Sequence, residues 1–137
     1  MRLLVADDDD AIRRLLVLEL RSRGAEVVEA ADGEEAVRRA LEYRPDGVFL
    51  DVLMPRLNGY DALARLRAAG YTGRVVMVTA LFEGSRELDS GVRPDDILAK
   101  PFRRRDVQAC WERFLAALGS SASRSGEGGA KEPAAGS

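Results

Sequence analysis

Residues 47–55 read GVFLDVLMP, a continuous apolar run that is interrupted by one carboxylate, Asp51. Continuous apolar runs are typical of strands that are covered on both faces of a parallel sheet. A carboxylate at the end of such a strand is costly to bury unless it meets a cation or hydrogen-bond donors. The run therefore predicts a central strand, and Asp51 is a candidate site residue.

Strand and helix patterns alternate on both sides of this run. Strands are predicted at residues 3–6, 25–30, 47–50, 74–78 and 97–99. Amphipathic spacing and capping residues predict helices over 9–23, from Asp32 to about Tyr43, from Asn58 onward, and over about 103–118. Between Ala80 and Asp96, glycines, serines and a proline oppose a long helix, so only a short one is predicted. Five strands that alternate with helices predict an α/β doubly wound domain.

The composition changes near the end of the chain. After Gly119 the sequence is rich in Ser, Gly and Ala and contains no aromatic residue. Such a segment cannot bury enough apolar surface to offset the entropy lost on ordering. Residues 1–118 are therefore predicted to form the folded domain, and residues 119–137 a disordered tail or linker.

The overall composition excludes several kinds of protein. A net charge of −2, from 21 basic and 23 acidic residues, indicates no bulk attraction to nucleic acid or to a membrane. The chain has no histidine and one cysteine, Cys110, which excludes histidine chemistry and an internal disulfide framework. No apolar stretch approaches the roughly 18 residues of a membrane span. The start becomes acidic too early for a secretory signal, so a cytoplasmic location is expected.

Polar residues follow four of the five predicted strands. Besides Asp51, these are Asp7 and Asp8 after the first strand, Thr79 after the fourth and Lys100 after the fifth. The carboxyl ends of parallel strands share one edge of the sheet, where ligands bind. Three carboxylates, a hydroxyl and an ammonium at one edge suit a divalent cation that holds a phosphoryl group. Each residue alone has an ordinary structural explanation, but their coincidence at one edge favours a site.

The neighbouring carboxylates Asp9 and Asp10 are predicted only to cap the first helix. Within the candidate site, a carboxylate such as Asp51 can attack phosphorus and form an aspartyl phosphate. The Lys100 ammonium would neutralise the incoming phosphoryl oxygens, and the Thr79 hydroxyl would donate to one of them.

Five stretches of the chain together resemble the receiver domain of bacterial two-component response regulators. They are LLVADDDDAIRRLL (3–16), ADGEEAV (31–37), PDGVFLDVLMPRLNGYDAL (45–63), VVMVTA (75–80) and DDILAKPF (95–102). The resemblance runs from about Arg2 to Leu118, with the motifs in the right order. It implies a flavodoxin-like fold, a doubly wound five-stranded parallel sheet of order 2-1-3-4-5 with flanking helices. It also implies a cis peptide bond before Pro101.

The resemblance also implies a role for each candidate residue. Asp51 would be the phosphoacceptor, and Asp7, Asp8 and Asp51 would hold Mg²⁺ together with the backbone carbonyl of Leu53. Thr79 would be the hydroxyl that responds to phosphorylation. In the same comparison, Lys100 is the lysine that pairs with the phosphate.

The same resemblance implies the partners. A sensor histidine kinase or a histidine phosphotransfer protein would supply the phosphoryl group, and the phosphorylated form would bind a downstream protein. No direct contact with nucleic acid or a membrane is expected, and a homodimer is left open. On this interpretation the chain is a phosphoacceptor signalling domain and not an enzyme.

Two alternatives stay open at this stage. Ile97 occupies a position where the family usually has Tyr or Phe. Together with the short helix predicted between Ala80 and Asp96, this departure favours a phosphorylation-independent pseudo-receiver. The pair Asp7 and Asp9 loosely resembles the Asp-x-Asp motif of haloacid-dehalogenase-type phosphatases.

Three consecutive arginines, Arg103 to Arg105, also open the last helix where a capping Ser or Asp is usual, and their charges oppose the helix dipole.

Overall fold

The computed structural model describes residues 1–80 and 92–126, the side chains of 120–126 excepted. Its strands are β1 (Arg2–Ala6), β2 (Glu26–Ala30), β3 (Gly47–Asp51), β4 (Arg74–Ala80) and β5 (Asp96–Lys100). The helices in these ranges are α1 (Asp10–Arg21), α2 (Gly33–Tyr43), α3 (Gly59–Ala68) and α4 (Arg104–Gly126). The five strands, and the helices that follow β1, β2, β3 and β5 in the described ranges, confirm the prediction from the sequence.

All five strands are parallel and lie in the order β2-β1-β3-β4-β5. This order confirms the flavodoxin-like topology. Strand β3 lies in the middle of the sheet, and all five of its residues are buried. The register places Asp51 opposite Val78 and Lys100 opposite Ala80. The carboxyl ends of β3, β4 and β5 therefore finish close to one another.

Both faces of the sheet are covered, because the residues that alternate along the strands are buried on each side. One face forms a cluster with buried residues of α2 and α3, and its strand members include Leu4, Val48, Leu50, Val75 and Met77. The residues between them point to the other face and are also buried; they include Leu3, Val5, Phe49 and Val76. This burial explains why the central strands are apolar without a break.

The first three helices begin where the sequence predicts. In each, the capping side chain accepts hydrogen bonds from backbone N–H groups of the first turn: Asp9 from Ala11 and Ile12, Asp32 from Glu35, and Asn58 from Asp61. The predicted capping box of α2 differs in one detail. The carboxylate of Glu35 accepts from the backbone N–H of Ala31, one residue before the cap, at 2.9 Å.

The last helix differs from the prediction at its far end. Helix α4 continues to Gly126, so its predicted end at Leu118 is wrong. Extending an existing helix costs less than starting one, which lets α4 continue into a Ser- and Ala-rich stretch. Residues 127–137 of the predicted tail lie outside the described residues. Met1–Val107 form one compact unit, and α4 from Gln108 onward belongs to a second.

Acidic residues lie near the arginine run at the start of α4. The backbone N–H of Arg103 donates to Asp106 Oδ2 at 2.7 Å, so a carboxylate lies in the first turn of the helix. Arg104 lies 3.3 Å from the Glu19 carboxylate of α1. Two acids, Asp106 and Glu19, therefore lie near the start of this arginine-rich helix, and Glu19 pairs with Arg104.

Three other expectations concern single segments. The peptide bond between Lys100 and Pro101 is cis, as the resemblance implies. The short helix expected between Ala80 and Asp96 falls largely on residues 81–91, outside the described residues. Among the helices that the structure describes, none is long and apolar enough to cross a membrane.

Candidate functional site

The candidate residues meet at the carboxyl edge of the sheet. Asp51 is the last residue of β3, Lys100 is the last residue of β5, and Asp7 directly follows β1. Lys100 Nζ lies 2.7 Å from Asp51 Oδ1 and 3.2 Å from Asp7 Oδ2. The lysine therefore reaches across the edge from β5 and joins the ends of three strands. The expected convergence of these residues is present.

Asp8 completes an acidic cluster at this edge. One carboxylate oxygen from each of Asp7, Asp8 and Asp51 lies within 4.8 Å of the other two. Asp7 and Asp51 are buried, whereas Asp8 is exposed to solvent. Three carboxylates and one ammonium leave an excess of two negative charges. Hard oxygen donors with this excess fit a divalent cation such as Mg²⁺.

The protonation of Asp51 reflects its surroundings. Burial raises the pKa of the Asp51 carboxyl from 3.8 to about 6, the hydrogen bond from Lys100 opposes this rise, and the negative charge of Asp7 adds to it. Burial alone would lower the pKa of Lys100, but its bonds with Asp51 and Asp7 outweigh burial and raise it. At neutral pH the site therefore holds an ionised Asp51 carboxylate beside a protonated Lys100.

Two further predicted residues lie near this edge. Thr79 is the second-last residue of β4 and is buried, and its hydroxyl donates to the carbonyl of Ala80 at 3.2 Å. Leu53 lies in the loop after β3, and its side chain is exposed. The use of the Leu53 carbonyl as a metal ligand stays a prediction.

The loop that carries Leu53 is closed at its base by Gly59. The Gly59 N–H donates to the carbonyl of Val52 at 2.9 Å. A Cβ at position 59 would overlap the Asp51 carbonyl and crowd Met77, so only glycine fits this approach. In the sequence Gly59 is only a turn marker, whereas the structure places it directly against the backbone of Asp51.

The contacts of Asp9 distinguish two interpretations of the acidic run, helix capping and a phosphatase-like Asp-x-Asp pair. Its carboxylate caps α1, and its backbone N–H donates to Asp7 Oδ1 at 2.9 Å. Asp9 is therefore occupied at the helix start and does not join Asp7 in a phosphatase-like Asp-x-Asp pair. Asp9 acts as the capping residue that the sequence predicts.

One residue of the site carries no signal in the sequence. Arg13, on α1, donates from Nη1 to the backbone carbonyl of Asp7 at 2.7 Å. In the sequence it is one of two adjacent arginines on a helix, and nothing distinguishes it from Arg14. Only the fold shows that it contacts the main chain of the acidic cluster.

Comparison with known proteins extends these observations. Residues 3–112 match the family model described as the response regulator receiver domain. The chain is 37% identical over 109 residues to the alkaline phosphatase synthesis transcriptional regulatory protein PhoP of Bacillus subtilis, covering 79% of this chain and 45% of that protein. It is 40% identical over 118 residues to the response regulator MprA of Mycobacterium avium, covering 84% and 51%. The chain thus spans about half the length of these curated relatives.

Solved structures give the same result. The receiver domain of sensor histidine kinase PA1611 from Pseudomonas aeruginosa, described with a magnesium ion in its active-site cleft, is 32% identical with a TM-score of 0.76, covering 84% of this chain and 97% of that one. The chemotaxis response regulator CheY4 of Vibrio cholerae is 29% identical with a TM-score of 0.72, covering 83% and 98%. The fold, the edge geometry and these matches together show that the chain belongs to the response regulator receiver domain family.

Proposed function

We propose that Asp51 is the phosphoacceptor of this receiver domain in a two-component or phosphorelay system. The observation that carries the proposal is the pairing of Lys100 Nζ with Asp51 Oδ1 at 2.7 Å inside a cluster of three carboxylates. An acidic cluster that served only for capping would not place a lysine from β5 against the carboxylate that ends β3.

The transfer is a displacement at phosphorus. An oxygen of the ionised Asp51 carboxylate attacks the phosphorus of a phosphohistidine, and a new oxygen–phosphorus bond forms. The phosphorus–nitrogen bond breaks, and its electron pair stays on the departing imidazole. The Lys100 ammonium stabilises the negative charge on the phosphoryl oxygens as they approach. Such charge stabilisation and positioning are the main contributions that a protein makes to phosphoryl transfer.

The proposed metal is Mg²⁺, held by Asp7, Asp8, Asp51 and the backbone carbonyl of Leu53. Bound there, it would supply positive charge opposite the phosphoryl oxygens. The donor set supports this assignment, because Mg²⁺ prefers oxygen ligands and uses few carboxylates. The magnesium ion described in the cleft of the PA1611 receiver domain supports it further.

The phosphorylated state would act through the buried Thr79. The hydroxyl of Thr79, which now donates to the Ala80 carbonyl, would turn to donate to a phosphoryl oxygen and bias the domain between two arrangements. A sensor histidine kinase or a histidine phosphotransfer protein is the proposed donor, and a downstream protein the proposed target. The domain takes part in its own phosphorylation but turns over no separate substrate.

Contact with nucleic acid is a separate question from phosphorylation. PhoP is named as a transcriptional regulatory protein, and this chain covers 45% of its length. The expectation of no direct nucleic-acid contact therefore stays a prediction for this chain.

The phosphoacceptor role is tested by mass spectrometry after incubation with acetyl phosphate and Mg²⁺. The wild-type protein is expected to gain one phosphoryl group, and Asp51→Asn none, because the amide is not a nucleophile towards phosphorus. Asp61→Asn, which removes an exposed carboxylate from the first turn of α3, is the matched control and should be phosphorylated like the wild type.

The same experiment addresses the two alternatives. A pseudo-receiver would show no gain in the wild type, and its partner binding would be unchanged by Asp51→Asn in the presence of phosphodonor. A haloacid-dehalogenase-type phosphatase would retain a labelled Asp7 in Asp51→Asn. Phosphorylation of Asp51→Asn equal to that of the wild type would rule out the proposed acceptor.

A further inference from the structure

Arg13 lies on α1 with a side chain that is only 12% exposed, although it carries a charge and follows the acidic run closely. Its guanidinium makes three charge-assisted or polar contacts with different parts of the chain. Nη1 donates to the Asp7 carbonyl at 2.7 Å, Nε to Glu29 Oε1 at 2.9 Å, and Nη2 to Asp10 Oδ1 at 2.7 Å. A partly buried arginine with its planar fork filled in this way is fixed in position.

The contact with Asp7 involves the main chain and not the carboxylate. The N–H of Asp7 donates to the carbonyl of Ala30 on β2 at 3.1 Å, which continues the sheet for one residue beyond β1. The carbonyl of Asp7 accepts from Arg13. The first bond orients the peptide unit that joins Ala6 to Asp7, and the Arg13 bond orients the unit that joins Asp7 to Asp8.

That peptide unit connects two members of the acidic cluster. The backbone orientation at Asp7 sets the direction in which its own carboxylate and the following side chain, Asp8, leave the chain. Asp8 is exposed and lies beyond the last strand residue, so the strand ladder does not hold it. Groups that orient metal ligands from outside the coordination shell commonly affect metal affinity.

The far side of the guanidinium is anchored on another strand. Glu29 is on β2 and is about one-third exposed, and Asp10 begins α1. Arg13 therefore links α1, β2 and the loop after β1. A lysine has one donor centre on a flexible stem and cannot make the same three contacts at once.

We propose that Arg13 is a positioning residue for the metal site. Arg13 holds the Asp7–Asp8 peptide unit so that both carboxylates face the cation. The inference rests on the proposed function of the cluster and adds a role for a residue that touches neither the metal nor the phosphoryl group. Arg13 acts through the carbonyl of Asp7.

Replacing Arg13 changes Mg²⁺ affinity in opposite directions if the arginine acts by positioning or only through its charge. Removing a positive charge near an acidic cluster should, by electrostatics alone, make cation binding tighter. Removing a positioning residue should make it weaker. For Arg13→Met, the expected result in a calorimetric titration with Mg²⁺ is roughly tenfold weaker binding.

Arg14→Met is the matched control, because it removes the same charge from the neighbouring, exposed position of α1. It should bind Mg²⁺ as tightly as the wild type or more tightly. Arg13→Lys keeps the charge but loses the fork, so an intermediate weakening is expected. Tighter or unchanged binding in Arg13→Met or in Arg13→Lys would overturn the proposal.

The phosphorylation rate gives a second readout that a purely structural role would not change in the same way. With acetyl phosphate, Arg13→Met should need about tenfold more Mg²⁺ for half-maximal rate, and the maximal rate at saturating Mg²⁺ should stay close to that of the wild type. A lower maximal rate with an unchanged Mg²⁺ requirement would contradict the proposal.

Two outcomes are kept apart by the design. If the wild type binds Mg²⁺ but takes up no phosphoryl group, the proposed function fails, while the calorimetric comparison of variants still decides the role of Arg13. If Arg13→Met does not fold, as judged by circular dichroism, Arg13→Lys and Glu29→Gln decide the question instead. Glu29→Gln keeps the arginine and weakens its outer anchor, so a smaller loss of Mg²⁺ affinity than in Arg13→Lys is expected.

Discussion

The carboxylates at the amino and carboxyl edges of the same sheet have different bonding partners. At the amino edge, carboxylates bond to backbone donors: Asp46 Oδ2 accepts from the N–H of Arg2 at 2.8 Å, and Asp95 Oδ2 from the N–H of Val75 at 2.7 Å. A buried Tyr71 hydroxyl also donates to a backbone carbonyl, that of Pro45, at 2.7 Å. These bonds tie the starts of the strands to the segments beside them.

At the carboxyl edge, three carboxylates lie close together, and two of them pair with a single ammonium. Asp7 and Asp51 are both buried and both pair with Lys100, and burial raises the pKa of Asp51 to about 6. Here negative charge is left in excess and is available to a cation. The comparison shows that carboxylates at the amino edge are satisfied by backbone donors, whereas the carboxyl edge concentrates like charges, as functional sites commonly do.

The largest expected effect is at the amino edge, with Arg67→Met. Arg67 donates to the carbonyls of Tyr71 and Gly73, both at 2.8 Å, and to Asp95 at 2.9 Å. Removing the guanidinium leaves these acceptors without a charged donor. The free energy of unfolding in urea should fall by about 3 kcal/mol, and the rate of phosphorylation by acetyl phosphate should not change.

Arg65→Met is the control for this variant, since Arg65 is exposed on the same helix. Its stability should stay within about 0.5 kcal/mol of the wild type. A loss of phosphorylation in folded Arg67→Met, without a loss of stability, would break the distinction between the two edges.

The next effect is the pH dependence of phosphorylation at the carboxyl edge. Because protonated Asp51 is not a nucleophile, the rate should fall about tenfold for each pH unit below its pKa. Without bound metal that pKa is about 6. A bound cation favours the ionised carboxylate, so the midpoint should lie below 6 at saturating Mg²⁺ and rise as Mg²⁺ is reduced.

Initial rates with acetyl phosphate between pH 5 and pH 8 would check this expectation, at two Mg²⁺ concentrations. The stability of the protein at each pH is the control, because acid unfolding would also lower the rate. A midpoint that did not move with Mg²⁺ would show that another group controls the pH dependence.

The smallest expected effect is on stability at the carboxyl edge. The folded pKa of Asp51 is raised from 3.8 to about 6, so its ionisation opposes folding, and stability falls as pH rises through this window. The full shift corresponds to about 3 kcal/mol, which water at the exposed side of the cluster reduces to about 1 kcal/mol. Metal-free Asp51→Asn should therefore be about 1 kcal/mol more stable than the wild type at pH 7.

The gain should shrink as the pH falls below 6 and be nearly gone at about pH 3, where Asp51 is largely protonated in both the folded and unfolded states. Urea unfolding in the presence of a chelator, at both pH values, measures the difference. Asp8→Asn, which removes the exposed member of the cluster, should give a smaller gain. A loss of stability in Asp51→Asn at pH 7 would mean that the pair with Lys100 outweighs burial and like-charge repulsion.

Much of the site could be predicted because its residues follow strands that the sequence marks strongly. The run GVFL before Asp51 indicates a covered strand, and parallel strands bring Asp7, Thr79 and Lys100 to the same edge. The contacts of Arg13 and Arg67 could not be predicted. Both act on backbone carbonyls, which have the same chemistry at every position and leave no pattern in the side chains.

The sequence by itself determined the strands, the helix caps and the kinds of chemical group at the carboxyl edge, because burial and capping depend on residues that are close in the chain. Only the tertiary structure decided which carboxylates share Lys100, how far burial raises the pKa of Asp51, and which arginine holds Asp7. These properties depend on distances of about 3 Å between segments that are far apart in sequence. Such distances arise when the sheet assembles, and no local pattern encodes them.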